Sequence, residues 1–143
     1  MIVYRMHSLN RGVFDATGAI LQPGRWHSRG TAVVYAAEHA SLAVLETLIH
    51  AGGRKLPPRA ISLIHVPDDL LIETTPWTEM PASQEFGDAW IREGRSAALR
   101  VPSIAVNLIE SNFVLNPSHP DFARIHAEPA EEFVFNPRFF LTA

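Results

Sequence analysis

Residues 32–53 read AVVYAAEHASLAVLETLIHAGG, a pattern that indicates a strand followed closely by a helix. The first five residues are short-chained, apolar or β-branched, which favours a strand. Within His39–Ala51, the apolar residues Leu42, Leu45 and Ile49 recur at the spacing of one helical face. Two glycines follow and supply a C-terminal stop, so the predicted helix ends there.

The pattern on either side of this stretch predicts more strands than helices. A second amphipathic helix is expected over Ser83–Arg92, a long loop over Asn10–Gly24, and a short helix that begins at Pro120. Because strands and helices do not alternate regularly, the chain is predicted to be α+β. We expect one compact domain over residues 1–143, with a central mixed or antiparallel sheet and flanking helices. The further predicted strands are Ile2–Met6, Arg59–Val66, Leu70–Glu73, Ser103–Val106, Asn112–Leu115 and Glu132–Phe135.

Composition excludes several classes of function. The chain has no cysteine, which rules out disulfides, thiolate catalysis and cysteine-based zinc sites. The net charge is −3 and the 12 basic residues are scattered, so direct binding of nucleic acid is not expected. No apolar run is long enough to span a bilayer and the N-terminus does not resemble a signal peptide. We therefore expect a cytoplasmic protein without a membrane association.

Seven histidines raise the question of a metal site. No two of them lie four residues apart on a convincing helix, and the His-Glu-x-x-His motif is absent. His119 and His126 bracket the short helix without an obvious third ligand. We therefore expect no metal, although a metal-dependent hydrolase that uses the histidines stays an alternative. Rossmann, P-loop and nucleophile-elbow glycine motifs are also absent.

The first candidate for chemistry is Glu46, which falls beside Leu42 and Ile49 at the edge of the predicted apolar stripe. A carboxylate that loses solvent there needs a hydrogen-bonding partner. The alternative is a boundary glutamate that reaches into water.

The second candidate is Gly24-Arg25-Trp26-His27. The glycine permits a tight turn, and an arginine beside an aromatic ring suits a nucleotide, with the guanidinium on phosphate and the ring available for stacking. A surface arginine packed on a core tryptophan is the alternative.

Four further polar residues lie in or beside predicted strands. Arg5 and Tyr35 each interrupt an apolar strand, and strand alternation sends each either toward a cleft or toward solvent. Ser103 and Asn112 each lie at the start of a predicted strand, where turn and cap chemistry is the alternative to a functional role.

Taken in order, these motifs resemble the RES domain, a family named for arginine, glutamate and serine. The resemblance covers the chain from Arg5 to about Arg138, and the long string at its end is the most specific part. One position departs from the family pattern: Met6 follows the first arginine, where an aromatic residue is frequent, so a stacking contact there is in doubt. The motifs that carry the resemblance are Arg5, Gly24-Arg25-Trp26, Ala32–Ala36, Ser41–Glu46, Val101-Pro102-Ser103 and Glu110–Phe122.

The resemblance implies a toxin with a fold related to ADP-ribosyltransferases, which binds NAD⁺ in a central cleft and cleaves its nicotinamide–ribose bond. It also implies a cognate Xre-type antitoxin and a homodimer. The letters of the family name would fall on Arg25, Glu46 and Ser103. NAD⁺ is then the substrate, and its ADP-ribosyl group passes to water, to phosphate or to a protein. A non-catalytic module that binds a partner is the alternative from another class.

The roles that we expect follow from this chemistry. Catalysis is assigned to Glu46, Arg25 and Tyr35, with Glu46 stabilising the positive charge that develops on the sugar. Arg5 and Arg25 would hold the diphosphate or its neighbouring hydroxyls. Binding of the rest of NAD⁺ is assigned to Tyr35, Ser103, Trp26 and Asn112.

Overall fold

Eight β-strands and three α-helices form residues 1–141, the part of the chain that the computed structural model describes. The helices are α1 (Thr17–Leu21), α2 (Ala40–Ala51) and α3 (Ala82–Glu93). Three short 3₁₀ helices cover Ile104–Val106, Pro120–Arg124 and Pro137–Phe140. The strands are β1 (Ile2–His7), β2 (Val34–Ala37), β3 (Arg59–His65), β4 (Ile72–Thr74), β5 (Ala98–Pro102), β6 (Ser111–Leu115), β7 (His126–Ala127) and β8 (Glu131–Phe133).

All eight strands join one sheet in the order β4-β5-β6-β2-β1-β3-β7, and β8 also pairs with β3. Neighbouring strands are antiparallel except β4 and β5, which are parallel. The predicted α+β class, with a mixed and mostly antiparallel sheet and flanking helices, is therefore confirmed.

The sheet is buried on both faces at its centre, as β6 shows. Phe113 and Leu115 belong to one apolar cluster, whereas Val114 between them packs in a second cluster with Trp90 of α3. Successive strand residues point to opposite faces, so both faces of β6 must be covered. A third cluster forms where α2 packs on the sheet, around Leu42.

The two long helices end where the sequence predicts. Gly52 and Gly94 take the left-handed conformation, with φ of 62° and 59°, and their N–H groups donate to carbonyls of the last helical turn. Glycine is favoured there because it has no Cβ to clash.

The apolar face of α2 differs from the prediction. Ile49 is 55% exposed and Leu45 is 36% exposed, whereas Leu42, Ala43 and Ala51 are buried. Small alanines let the helix approach the sheet closely, so burial follows helix position and not side-chain hydrophobicity. This rotation turns Glu46 toward the interior of a cleft.

Two other predictions were wrong. Ser103–Val106 is not a strand: the Ser103 hydroxyl accepts the N–H of Ala105 and starts a 3₁₀ helix over Ile104–Val106. The strand lies earlier, at Ala98–Pro102, where Arg100 and the terminal proline disguise the apolar pattern. The predicted loop Asn10–Gly24 contains the short helix α1.

At the C-terminal end, the last predicted strand is displaced and a short one is missed. The strand expected over Glu132–Phe135 lies at Glu131–Phe133. The two-residue strand His126–Ala127 has too little sequence to show a period.

Within residues 1–141, no helix has the length and apolar character needed to cross a bilayer.

Candidate functional site

A cleft beside α2 is divided into three cavities of about 170, 330 and 360 Å³. Glu46 and Tyr35 line all three, so these cavities are compartments of one site. The two larger compartments each fall within the usual range for small-molecule sites, about 300–1,000 Å³. We call the 330 Å³ compartment, which Arg25 also lines, the Arg25 compartment, and the 360 Å³ compartment, which Arg5 also lines, the Arg5 compartment.

The Glu46 carboxylate is held by two other residues that the sequence singles out. Its Oε1 accepts from the Ser103 hydroxyl at 2.7 Å and from the Asn112 side-chain amide at 3.2 Å. These bonds connect α2 with the end of β5 and the start of β6. They fix the carboxylate at the wall of the cleft while the side chain stays partly exposed.

Ser103 is fixed more tightly than its neighbours. It is 1% exposed, its N–H donates to the Glu110 carbonyl, and its carbonyl accepts from the Leu108 N–H. Its hydroxyl accepts from Ala105 N–H and donates its one proton to Glu46. With its one proton used, this hydroxyl orients Glu46 and has no donor left for a ligand.

Arg25 lies on a loop that faces Glu46 across the Arg25 compartment. Its guanidinium lies 5.6 Å from the ring centroid of Trp77, a cation–π arrangement. The loop itself is held from behind by α3: the Ser83 hydroxyl donates to the Arg25 carbonyl at 2.5 Å, and the Gln84 amide donates to the Gly24 carbonyl at 2.8 Å.

Gly87 and Asp88 extend this support from α3. A Cβ on Gly87 would lie 1.7 Å from the carbonyl oxygen of Trp26, so only glycine lets the helix come this close to the loop. The Asp88 carboxylate accepts from the Ser28 N–H at 2.9 Å and from the Thr31 hydroxyl at 3.2 Å. Burial disfavours the charged form, but these hydrogen bonds outweigh it and hold the pKa of Asp88 below its ordinary value.

The Tyr35 hydroxyl is fully engaged with the same loop. It lies 2.6 Å from Nδ1 of His27 and accepts the Trp26 N–H at 3.2 Å. The His27 Nε2 faces the carbonyls of Ala19 and Gln22, which can only accept, so the ring proton belongs on Nε2. In the neutral ring Nδ1 then accepts the Tyr35 proton. Burial raises the pKa of Tyr35, which keeps this hydroxyl neutral.

Gly24 has a different reason to be glycine than the sequence suggests. Its φ is not in the left-handed region, but a Cβ there would lie 2.7 Å from the His27 ring and 2.9 Å from the Tyr35 hydroxyl. The glycine is required by close approach and not by a turn conformation.

Trp26 does not offer its ring to a ligand, which corrects the expected stacking role. The residue borders the Arg25 compartment but is only 2% exposed, and it packs edge-on against Phe86 in the second apolar cluster. Trp77 is the aromatic ring that lies beside the Arg25 guanidinium.

Arg5 is brought to the same cleft from β1. Its guanidinium donates to the carbonyls of Tyr35 at 2.9 Å and Asp15 at 3.5 Å, while its Nε is buried without an acceptor among residues 1–141. Burial, together with the nearby charge of Arg59, lowers the pKa of Arg5 to about 10. Arg5 therefore stays cationic at neutral pH, and its buried Nε–H is one of the donors left without an acceptor among residues 1–141.

The structure thus brings Arg5, Arg25, Tyr35, Glu46, Ser103 and Asn112 around one cleft. Five residues that hold this arrangement received no role from the sequence, although His27 stands in the second candidate motif. They are His27, Ser83, Gln84, Gly87 and Asp88. Four of them lie on α3, more than fifty positions from the loop they support, so no local motif connects the two. Gly87, a glycine inside the predicted helix, was the one sequence signal of this close contact.

Within the described range, one group has the spacing of metal ligands: Glu38, His39 and Glu110, whose ligand atoms lie within 4.8 Å of one another. This group lines none of the three compartments. Its members already pair within the protein, because Glu110 bonds His39 at 2.9 Å and Glu38 accepts from the Ser111 N–H.

Comparison with known proteins gives a consistent picture. The model of the RES domain family matches residues 2–136. A "Prs ADP-ribosylating toxin" of Sphingobium sp. (strain YBL2) is 37% identical, over 90% of this chain and 88% of that protein. A "Toxin Res" of Photorhabdus laumondii is 39% identical, over 85% of each chain. Among solved structures, a chain of the M. tuberculosis MbcT–MbcA toxin–antitoxin complex has a TM-score of 0.76 at 16% identity, covering 97% of this chain and 86% of that one.

Replacing Gly87 by alanine should push α3 away from the Trp26 backbone. Because the obstructing atoms are main-chain atoms, we expect a loss of at least about 1–3 kcal/mol in the free energy of unfolding, measured by urea denaturation. Gly12→Ala is the matched control, since a Cβ there meets nothing within 4 Å and should leave stability within about 0.5 kcal/mol. Equal effects in the two variants would contradict the close approach.

Replacing Asp88 by asparagine tests the carboxylate that anchors the loop. Because its folded pKa is lowered, its contribution is complete above the unfolded value of about 3.9 and disappears as pH falls through the folded value. At pH 7 the free energy of unfolding of Asp88→Asn should therefore be lower than that of the parent. Between about pH 5 and pH 3 it should fall by less than that of the parent. The control is Asp69→Asn at an exposed ion pair. Parallel pH curves for parent and Asp88→Asn would refute the role.

Proposed function

This chain belongs to the RES domain family, and we propose that it is the toxin of a toxin–antitoxin pair, binding NAD⁺ in the cleft and breaking the nicotinamide–ribose bond. The names of the relatives support a toxin, and the name of the Sphingobium protein supports ADP-ribosyl chemistry. An ADP-ribosyl group is what remains of NAD⁺ once nicotinamide leaves.

The observation that carries this proposal is the single fixed carboxylate at the centre of the cleft. Glu46 lines all three compartments, and its Oε1 is held by two donors while the side chain stays partly exposed. Cleavage of an N-glycosidic bond builds positive charge on the sugar, as in glycoside hydrolysis. A carboxylate that is already oriented stabilises this charge without reorganising during the reaction.

The bond changes balance as follows. The bond between ribose C1′ and the pyridinium nitrogen breaks, and its electron pair leaves with nicotinamide as a neutral base. The resulting oxocarbenium-like carbon lies against the Glu46 carboxylate and takes an electron pair from the acceptor. The acceptor then releases a proton to solvent, so no oxidant or reductant is needed.

The two cleft arginines supply the charge that a dinucleotide requires. Arg25 and Arg5 each line a compartment together with Glu46, so a substrate that reaches both must pass the carboxylate. Guanidinium groups bind phosphate oxygens through charge-assisted, often bidentate, hydrogen bonds. We assign them to the diphosphate or its neighbouring hydroxyls, and we assign the face of Tyr35, whose hydroxyl is engaged, to a ring or ribose.

Ser103 and Asn112 take supporting roles in this proposal. Ser103 orients Glu46, and because its hydroxyl proton already goes to the carboxylate, its contact with the amide or ribose of NAD⁺ is as an acceptor only. Asn112 lines two of the compartments and donates to the same oxygen, so it both orients Glu46 and borders the substrate.

The acceptor is a separate part of the proposal. Water gives a glycohydrolase, phosphate gives a phosphorylase, and a protein side chain gives an ADP-ribosyltransferase. The name of the Sphingobium relative favours transfer to a protein. The products distinguish these reactions: free ADP-ribose, ADP-ribose 1-phosphate or a modified protein.

Replacing Glu46 by glutamine tests the chemistry. Because the variant keeps the shape but loses the charge that stabilises the sugar, nicotinamide release from NAD⁺ should fall by about 100-fold or more. The assay is mass spectrometry of products with water alone, with added phosphate and with cell lysate. Glu85→Gln, at an exposed position of α3, is the control and should keep the parent rate.

Two outcomes would contradict this assignment. If Glu46→Gln consumes NAD⁺ as fast as the parent, the carboxylate has another role. If the parent releases no nicotinamide with any acceptor, the chain is a binding module and not an enzyme.

We propose that a cognate antitoxin covers the mouth of the cleft, of the Xre type that the family resemblance implies. The solved structural neighbour belongs to a toxin–antitoxin complex. In this chain, exposed apolar side chains lie on α2 and on the segment after β5. These two elements contact each other. Exposed apolar groups on adjoining elements are typical of a protein interface. They are Leu45, Ile49, Ile104, Leu108 and Ile109. A homodimer stays a prediction.

Replacing the two most protruding of these side chains tests the partner. Ile49→Asp with Ile109→Asp should weaken antitoxin binding by at least about 10-fold, measured by calorimetry, because each charge would be desolvated in the interface. NAD⁺ consumption by the free double variant should stay at the parent level. Antitoxin affinity equal to that of the parent would place the interface elsewhere.

A further inference from the structure

Arg59, the first residue of β3, is a cation with no hydrogen-bond or ion-pair partner among residues 1–141. It is half-buried, and its side chain donates no hydrogen bond and forms no ion pair to any residue in 1–141. Its Nε is buried with no acceptor in the described part of the chain. A buried donor left unsatisfied costs free energy, so a native structure that keeps one calls for an explanation.

A second guanidinium faces the same space. Arg5 and Arg59 together line the Arg5 compartment and a further cavity of about 220 Å³. The Nε of Arg5 is also buried without an acceptor. Burial lowers the pKa of Arg59, and burial followed by the charge of Arg59 lowers that of Arg5. Asp15, which lines the 220 Å³ cavity, is the one carboxylate there within residues 1–141, and its charge opposes the lowering of the Arg5 pKa without outweighing it. Two like charges are therefore held close with incomplete neutralisation.

Other groups that line this compartment add to its positive character. Arg54 donates its Nε to the Ala51 carbonyl at 2.8 Å, and its terminal nitrogens have no acceptor within the described chain. Glu46 is the one carboxylate of the lining, and its Oε1 is already bound by Ser103 and Asn112. Among residues 1–141, the compartment thus offers several guanidinium donors without acceptors, against the one negative charge of Glu46.

We infer that Arg59, together with Arg5 and Arg54, forms the phosphate-binding end of the cleft and takes the diphosphate of the dinucleotide. This inference rests on the proposed function. A diphosphate carries two negative charges and several acceptor oxygens, which match the unused guanidinium donors. It neutralises the repulsion between Arg5 and Arg59 at the same time. Of the two assignments proposed for Arg25, which lines the other compartment, the hydroxyls that neighbour the diphosphate then remain.

The first test is binding without turnover. ADP and inorganic pyrophosphate are titrated into the antitoxin-free chain by calorimetry, with adenosine and inorganic phosphate as comparison probes. We expect Arg59→Gln to weaken the binding of ADP and of pyrophosphate by about 10-fold or more, because charge-assisted hydrogen bonds are lost. The affinity of Arg59→Lys for both ligands should lie between those of the parent and Arg59→Gln, since lysine keeps the charge but loses the planar fork. Arg92→Gln, at an exposed position of α3, is the matched control.

A second measurement separates ligand binding from a structural role. Because Arg59 has an unsatisfied donor and repels Arg5, Arg59→Gln without ligand should unfold at the same temperature as the parent or higher. Pyrophosphate should raise the midpoint of thermal unfolding of the parent by more than that of Arg59→Gln. A lower midpoint for both Arg59 variants without ligand would mean that this side chain supports the fold.

The remaining outcomes distinguish this inference from the proposed function. If the parent consumes NAD⁺ but Arg59→Gln binds ADP equally well, the assignment of Arg59 fails and the function stands. If ADP binding depends on Arg59 while NAD⁺ is never cleaved, the phosphate site stands and the chemistry fails. Binding of inorganic phosphate that depends on Arg59, without binding of ADP, would overturn the assignment to the dinucleotide.

Discussion

The hydrogen bonds from Ser103 and Asn112 to the Glu46 carboxylate are the interaction on which the site depends. They join α2 to the ends of β5 and β6, three elements that meet nowhere in the sequence. A carboxylate beside an apolar interior needs such donors, because its desolvation is otherwise uncompensated. The same bonds leave the side chain partly exposed, so one arrangement satisfies both stability and access to the cleft.

The cleft combines this one carboxylate with an excess of guanidinium groups. Arg5 and Arg25 line compartments that share Glu46, and Arg54 and Arg59 line the Arg5 compartment. In the free protein several of these donors have no partner within residues 1–141. Such donors favour the binding of an anionic substrate, because the substrate supplies the acceptor oxygens that the folded chain does not.

The position of Arg25 depends on a rigid support rather than on its own loop. α3 holds that loop through Ser83, Gln84 and Asp88, and Gly87 permits the close approach. Tyr35 and His27 fasten it from the opposite side. Catalytic groups must be held within a fraction of an ångström, and a short loop achieves this only when neighbouring elements fix its backbone.

Local pattern alone determined much of this protein. The helix at residues 40–51, its glycine stop and the strands around it follow from spacing and turn residues, because these signals act between neighbours in the chain. The motifs around Arg5, Arg25, Glu46 and Ser103 identified the family for the same reason. Tertiary structure decided the rest. It selected the alanine face of α2 for burial, placed Trp26 in the core, turned Ser103 into a support for Glu46, and brought Arg59 beside Arg5. These outcomes depend on which distant elements pack together. Contacts between distant elements leave no periodic pattern along the chain, so the sequence alone does not predict them.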